Sequence, residues 1–132
     1  MKVRLMISVG MGCSLVFATP ALANAPMFHG KHRNEVRLNM AISHPKAYAM
    51  QILTSKGLGK AQYACLATLW TRESHWNFRA KNPGSTAFGI GQLLVETSHD
   101  PAQQIRNGIK YISARYGSPC QALRHSYAYG WY

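Results

Sequence analysis

The sequence predicts a small all-α protein of about five helices with one disulfide. Apolar residues recur at helical spacing along much of the chain, and Pro and Gly stand at the starts and ends of these periodic segments. No run of alternating apolar and polar residues predicts a β-strand. Since no internal repeat or long linker is present, we predict a signal peptide over residues 1–23, a basic N-terminal arm over residues 24–44 and one domain over residues 45–132.

Residues 1–23 have the composition of a secretory signal peptide. Lys2 and Arg4 form a positive n-region, a mostly apolar segment follows, and Ala-Leu-Ala at 21–23 matches a signal-peptidase site. The apolar segment is too short and interrupted to span a bilayer well, and a retained membrane anchor is the alternative. Cleavage after Ala23 would remove 23 of 132 residues and leave 109. The mature protein is then expected in the cell envelope or the medium, secreted or periplasmic, without stable membrane insertion.

The irregular arm and the first two helices are predicted as follows. Residues 24–44 are polar, basic and weakly periodic, which predicts an arm without regular structure. Pro45 marks the start of the first helix, which ends at Gly57 and Gly59. The second helix runs on from Gly59 to about Ser74, with apolar residues at helical spacing.

Three further helices are predicted after a turn over residues 77–85. A short helix is expected from about Gly91 to just before Asp100. Asp100 caps the next helix, which has Pro in its first turn and ends at Gly117. A second start signal of the same kind, Ser-Pro-Cys-Gln, opens the last helix, which reaches about Tyr127.

Two of the three cysteines remain after signal cleavage, since Cys13 lies in the signal segment. Cys65 and Cys120 predict a disulfide in an oxidising compartment, and two separate buried thiols are the alternative. Closing this loop would contribute about 4 kcal/mol in the chain-entropy model. No Cys/His spacing suits a metal, and His29 and His32 are expected to be solvated, so neither a metal nor a cofactor is predicted.

The chain is strongly basic. Its formal net charge of +11 falls to +9 without Lys2 and Arg4. This charge predicts attraction to polyanions such as acidic cell-wall polymers, and the alternative is that it only maintains solubility. The basic residues are scattered and form no stripe along one helix, so dedicated nucleic-acid recognition is not predicted. No sequence feature sets an oligomeric state.

Glu73 is one of only four acidic residues in the chain. Helical spacing places it on an apolar face with Leu66 and Trp70, near the end of its helix. Burial and the helix C-terminus are both expected to raise the pKa of its carboxyl. A carboxyl that keeps its proton near neutral pH can protonate a leaving oxygen, as the acid of a glycosidase does. The alternative is a rim position paired with Arg72 or Arg79.

A glycine-containing segment follows Glu73 in the sequence. Gly89-Ile90-Gly91 offers backbone amides without side-chain bulk, which a sugar ring could approach. Gln92 adds a donor and an acceptor suited to an acetamido or hydroxyl group. The alternative is a turn that packs against a neighbouring helix.

Three motifs occur in order: Arg-Glu-Ser-His-Trp-Asn at 72–77, Asn-Pro-Gly-Ser-Thr-Ala-Phe-Gly-Ile-Gly-Gln at 82–92, and a Tyr-Gly-Ser-Pro-Cys to Gly-Trp-Tyr ending at 116–132. Together they resemble the soluble lytic transglycosylase domain of the lysozyme-like superfamily, in its small secreted and phage-associated form. The resemblance covers about residues 58–132 and implies a lysozyme-like helical fold that acts on peptidoglycan strands.

The resemblance also implies roles for individual residues. Glu73 would be the catalytic acid/base. Residues next to it and in the glycine segment would bind substrate: Ser74, Gly89, Ile90, Gly91 and Gln92. In larger relatives an Ala-Tyr-Asn segment places a tyrosine near the acid. Tyr127 is the nearest match, although both of its neighbours differ from that pattern, and Tyr111 and Tyr129 are the alternatives.

The scarcity of acids bears on the mechanism, because most glycosidases use two carboxylates. Glu35 lies in the predicted arm and Asp100 is a predicted helix cap. Glu96 is the remaining candidate for a second carboxylate, and its other interpretation is a solvated helix residue. This scarcity suits a reaction in which the substrate supplies the nucleophile.

The predicted activity is that of a peptidoglycan lytic transglycosylase. The resemblance implies cleavage of the MurNAc-GlcNAc β-1,4 bond, with the C6 hydroxyl of MurNAc closing a 1,6-anhydro ring. The alternatives are a hydrolysing muramidase on the same fold and a non-catalytic, basic wall-binding or antimicrobial protein. A serine hydrolase using Ser74 and a histidine is a further alternative, against which stand the adjacency of Ser74 and His75 in the sequence and the lack of a nucleophile elbow.

Overall fold

The computed structural model describes residues 29–132, and these residues form five α-helices. The helices are α1 (His29–Ser43), α2 (Pro45–Ser55), α3 (Lys60–Ser74), α4 (Pro101–Tyr116) and α5 (Pro119–Tyr129). Within residues 29–132 no strand forms, and two isolated β-bridges stand alone in the loop between α3 and α4. The predicted small all-α fold is confirmed. The predicted signal peptide lies outside the described residues.

The prediction of an irregular arm before residue 45 is wrong over residues 29–43, which form α1. This helix packs against α2 and α4, and Ala41 is buried in the common core. Most other side chains of α1 are exposed, so the helix carries little of the apolar periodicity by which a helix is recognised. Tertiary packing therefore holds a helix whose own sequence signal is weak.

The prediction of a short helix between Gly91 and Asp100 is also wrong, because this segment consists of turns and extended backbone. Gln92 has φ 50° and Gly89 has φ 78°, and a right-handed helix does not tolerate either value. The backbone N–H of Phe88 donates to the carbonyl of Leu93, which folds residues 88–93 back on themselves. The helix count agrees with the prediction because α1 takes the place of this segment.

The helix starts predicted from capping residues are confirmed. The Asp100 carboxylate accepts a hydrogen bond from the N–H of Ala102 at the start of α4, at 2.8 Å. The Ser118 hydroxyl accepts one from the N–H of Gln121 at the start of α5. Gly117 ends α4 as predicted, while α5 continues to Tyr129, two residues beyond the predicted end.

The core centres on the indole of Trp70, which is fully buried on α3. It packs edge-on against Trp76, with ring centroids 5.2 Å apart. Gly108 in the middle of α4 leaves room for the six-membered ring of Trp70. The remaining core is contributed by all five helices and the α3–α4 loop, and its largest fully buried aliphatic residues are Leu53, Leu66, Leu69, Ile90, Ile105, Ile109 and Ile112.

A disulfide joins α3 to α5, the two helices that flank the candidate site. Cys65 and Cys120 are bonded, with their Cα atoms 4.9 Å apart. The predicted pairing is confirmed. In the part of the chain that the structure describes, no helix is both long enough and apolar enough to cross a membrane.

Candidate active site

Glu73 lies in the last turn of α3, half-buried, where the helix opens into a groove. The helix ends because His75 and Trp76 adopt positive φ values of 53° and 66°, which reverses the chain direction. The following loop then returns beside Glu73 and forms one wall, and the segment after α5 forms the other. The groove measures about 360 Å³ and is lined by Glu73, Asn82, Ser85, Ala87, Gln92, Leu94, Gly130, Trp131 and Tyr132.

The electrostatic state of Glu73 agrees in direction with the prediction. Burial raises the pKa of its carboxyl, and the nearby positive charge of Arg72 opposes this rise only in part. The Arg72 guanidinium stacks on the ring of Tyr127 at 4.5 Å, and Arg79 stacks on Phe78. The alternative of an ion pair between Glu73 and either arginine is not observed, since the one ion pair within residues 29–132 joins Arg106 to Asp100.

Tyr132 is the residue at this site that the sequence reasoning missed. Its phenol oxygen accepts a hydrogen bond from the Trp70 indole N–H at 2.8 Å and donates to the carbonyl of Gly91. Burial raises the pKa of the Tyr132 phenol well above its ordinary value, and the negative charge of Glu73 raises it further. The phenol therefore stays neutral beside the carboxyl and connects α3, the glycine segment and the last residues of the chain.

The three tyrosines proposed from the sequence lie elsewhere. Tyr127 is 60% exposed and covers Arg72, outside the lining of the groove. Tyr129 is 66% exposed and stacks on His125. Tyr111 packs edge-on against the ring of Tyr132 at 6.0 Å and supports it from behind. The Gly-Trp-Tyr ending was visible in the sequence, but without helical periodicity nothing indicated that its last residue folds back onto Trp70.

Gly89, Ile90 and Gly91 are not among the residues that line the groove, and the amides of Gly89 and Ile90 form hydrogen bonds within the protein. The N–H of Gly89 donates to the Ala80 carbonyl at 2.9 Å, and the N–H of Ile90 donates to the Gln104 side chain at 3.0 Å. The Ser74 hydroxyl in turn donates to the Ile90 carbonyl at 2.7 Å, which ties the segment to α3. The expectation that the amides of Gly89 and Ile90 are free for a sugar is therefore wrong, because the protein itself uses them.

Gly89 and Gly91 lie so close to neighbouring side chains that a larger residue at either position would crowd them. A Cβ atom at Gly91 would lie 3.0 Å from the Tyr132 phenol oxygen and 3.4 Å from the Trp70 indole nitrogen. A Cβ atom at Gly89 would clash with the Gln104 side chain, and its φ of 78° favours glycine as well. Both glycines thus allow the loop to pack closely against its neighbours, while Ile90 between them is buried in the core.

Gln92 remains at the groove, in a conformation that the loop imposes. Its side-chain N–H group donates to the carbonyls of Gly89 at 2.9 Å and Ala80 at 3.2 Å. Its side-chain oxygen has no hydrogen-bond donor within residues 29–132 and is left to accept one from a ligand. Of the donor and acceptor predicted for Gln92, the acceptor is the group that the structure leaves free.

Glu73 is the only carboxylate that lines the groove among the described residues. Glu96 is 8% exposed, lies outside any helix, and accepts hydrogen bonds from the Asn107 side chain and the Ser98 N–H. The interpretation of Glu96 as a solvated helix residue is therefore wrong. Its carboxylate bonds the α3–α4 loop to Asn107 of α4 and does not line the groove. Asp100 caps α4, as predicted.

The structure also bears on a serine nucleophile and on a metal site. The Ser74 hydroxyl is engaged with a backbone carbonyl and is not paired with a histidine. Within residues 29–132, no group of three or more His, Cys, Asp or Glu side chains is arranged to hold a metal ion. The groove thus combines one protonatable carboxyl, that of Glu73, with one buried phenol, that of Tyr132, between the α3–α4 loop and the last residues of the chain.

Comparison with known proteins finds no matching family model, no matching curated protein and no matching solved structure.

Proposed function

We propose that the protein is a peptidoglycan lytic transglycosylase that uses Glu73 as its acid and base. The observation that carries the proposal is the half-buried Glu73 carboxyl, whose pKa is raised, at a groove with no second carboxylate among its described lining residues. The three sequence motifs that resemble the lytic transglycosylase domain support the same activity, as does the +11 formal charge, which suits an acidic wall polymer.

The proposed reaction proceeds in two proton transfers. The Glu73 carboxyl gives its proton to the glycosidic oxygen as the MurNAc-GlcNAc bond breaks. The Glu73 carboxylate then accepts the proton of the MurNAc C6 hydroxyl while that oxygen bonds to C1 and closes the 1,6-anhydro ring. Burial favours the protonated acid that the first transfer needs, and the neutral Tyr132 phenol adds no charge next to it.

The residues around Glu73 have supporting roles in this proposal. Gln92 offers its side-chain oxygen to a sugar hydroxyl or acetamido N–H, and Trp131 offers an aromatic face to a sugar ring. The Tyr132 phenol connects the carbonyl of Gly91 to the Trp70 indole of α3. Hydrolysis by water on the same groove is the second candidate. The described lining lacks the second carboxylate that most glycoside hydrolases use as base or nucleophile, which favours the intramolecular route.

The decisive experiment combines one substitution with analysis of the products. Glu73→Gln should abolish lysis of purified peptidoglycan while leaving the circular dichroism spectrum unchanged. Glu35→Gln is the matched control, since it removes the same charge from an exposed position on α1. Retained lysis by Glu73→Gln would refute the proposal. Mass spectrometry of products from the wild type should find 1,6-anhydro ends, which are lighter by one water than the reducing ends of a hydrolase.

The same variants separate the enzyme from a non-catalytic basic protein. A protein that acts through charge alone would lose activity steeply with salt, and Glu73→Gln and Glu35→Gln would behave alike. For the enzyme we expect these two variants to differ at every salt concentration that permits binding.

A further inference from the structure

A second depression, of about 420 Å³, is lined in part by residues that contact Trp131, which itself lines the Glu73 groove. We call it the arginine-aromatic patch and define it by the residues that line it or stack on it: Arg115, Tyr116, Arg124, His125, Tyr129 and Trp131. It is formed where the end of α4 meets α5, and Trp131 is the only one of its residues that also lines the Glu73 groove.

Aromatic rings hold the cationic part of the patch in place. The Arg115 guanidinium lies 5.2 Å from the Trp131 ring centroid and 5.7 Å from that of Tyr116. The His125 ring is 4.4 Å from Trp131 and 4.5 Å from Tyr129, and its Nδ1 is 2.8 Å from the Trp131 carbonyl. A guanidinium that stacks on rings keeps its N–H edges free, so Arg115 can bind an anion without losing these contacts.

The patch has positive charge that the described residues do not neutralise. Arg115 and Arg124 are both exposed, and neither forms an ion pair within residues 29–132. None of the lining residues of the depression is acidic. Two unpaired guanidinium groups beside an exposed aromatic pair, Tyr129 and Trp131, are suited to a ligand that carries both carboxylates and apolar ring faces.

Trp131 connects the patch to the groove. It is 51% exposed, lines the groove beside Glu73, and stacks on Arg115 and His125 of the patch. A polymer bound along the groove would therefore meet the patch next, without leaving the protein surface.

We propose that the arginine-aromatic patch is an anion-binding subsite that holds carboxylate groups of the substrate strand, with Arg115 and Arg124 as the binding residues. This inference rests on the proposed function, and it names the part of the substrate that is recognised outside the cleavage site. In peptidoglycan these carboxylates belong to the peptide stems, so the site selects strands that carry stems with free carboxyl groups. Bidentate hydrogen bonds from a guanidinium to a carboxylate would give both affinity and orientation.

Binding measurements on an inactive protein test the inference independently of cleavage. In the Glu73→Gln background, we would compare soluble glycan strands with free stem carboxylates and the same strands after chemical amidation of those carboxylates. Arg115→Gln/Arg124→Gln should weaken binding of the free-carboxylate strands by about tenfold or more, the value of one or two charged hydrogen bonds, and leave binding of the amidated strands unchanged. Lys56→Gln/Lys60→Gln removes the same charge away from the patch and should weaken binding by less than about threefold.

Three results would overturn the inference. The first is an equal loss in the patch variant and the lysine control, which would assign the effect to net charge. The second is an equal loss on free and amidated strands, which would assign it to damaged packing. The third is equal affinity of the unsubstituted patch for both strands. Arg124→Gln alone, at an exposed position, provides the comparison if the double variant is unstable. Failure of the proposed function would instead appear in the product assay, which these binding measurements do not use.

Discussion

Replacing Gly108 with alanine tests the packing that holds the candidate site together. Gly108 is buried in the middle of α4, where alanine would normally be preferred by about 1 kcal/mol. A Cβ atom at this position would lie only 2.5 Å from Cζ2 and 3.1 Å from Cη2 of Trp70. Carbon atoms pack at about 3.5 to 4.0 Å, so the substitution forces the indole or the helix to move.

The indole has little freedom to move. Trp70 is fully buried, packs edge-on against Trp76, and donates its N–H to Tyr132. Overpacking of this kind costs about 1 to 3 kcal/mol, and two atoms in close contact favour the upper value. After the gain in helix propensity, we expect Gly108→Ala to lower the free energy of unfolding by about 2 kcal/mol. For a domain of this size the melting temperature should fall by about 10 °C.

Thermal and urea denaturation measure this effect, with Gly30→Ala as the control. Gly30 is also helical, but no atom lies within 4 Å of a Cβ built there, so that variant should be neutral or slightly stabilised. The double variant Gly108→Ala/Trp70→Phe should lose less stability than the sum of the two single variants, because the smaller ring removes the clash. A Gly108→Ala protein as stable as the wild type would refute the reasoning.

Three further predictions concern stability. Cys65→Ser/Cys120→Ser should lower the free energy of unfolding by about 4 kcal/mol in urea denaturation, because the unfolded chain regains the entropy of a loop with a separation of 55 residues. An unchanged denaturation midpoint would contradict this prediction. Gln104→Leu should cost about 3 kcal/mol or more because one backbone N–H and two backbone carbonyls lose their partner, whereas exposed Gln51→Leu should stay within about 0.5 kcal/mol of the wild type. Burial raises the pKa of Glu73 above 4.5, so ionisation of its carboxyl destabilises the folded state relative to the unfolded chain. This loss of stability is absent below pH 4.5 and grows as the pH rises through the raised pKa. Glu73→Gln should therefore gain stability over the wild type across that range, and a stability difference that does not vary with pH would argue against a raised pKa.

The parts of the fold that the sequence predicted well depend on local chemistry. Capping by Asp100 and Ser118 is decided within one turn of helix, and their side chains bond to N–H groups a few residues away. The environment of Glu73 was predictable for a similar reason, since helical spacing fixes its position relative to Leu66 and Trp70. The disulfide followed from the two cysteines that remain once Cys13 is assigned to the predicted signal peptide.

The parts that could not be predicted depend on contacts between distant residues. Tyr132 reaches the site only because α5 returns alongside α3, and its partner Trp70 lies 62 residues away in the sequence. The amides of Gly89 and Ile90 are occupied by Ala80 and by Gln104 from α4, a partner that no local pattern indicates. α1 is helical because the rest of the fold covers one narrow strip around Ala41.

The Cys65–Cys120 disulfide joins the two helices that carry or lead to lining residues of the groove. One half of the disulfide belongs to the helix that carries Glu73, and the other half belongs to the helix that leads to Trp131 and Tyr132. Cys120 lies ten residues before Gly130, which is about 15 Å along the helix axis. The disulfide therefore joins α3 and α5 at a distance from the groove, and its sulfur atoms do not line it. In a reducing cytosol the walls would rely on noncovalent packing alone. The rigidity of the groove thus depends on oxidation of the two cysteines, because without the disulfide α3 and α5 are joined by noncovalent packing alone.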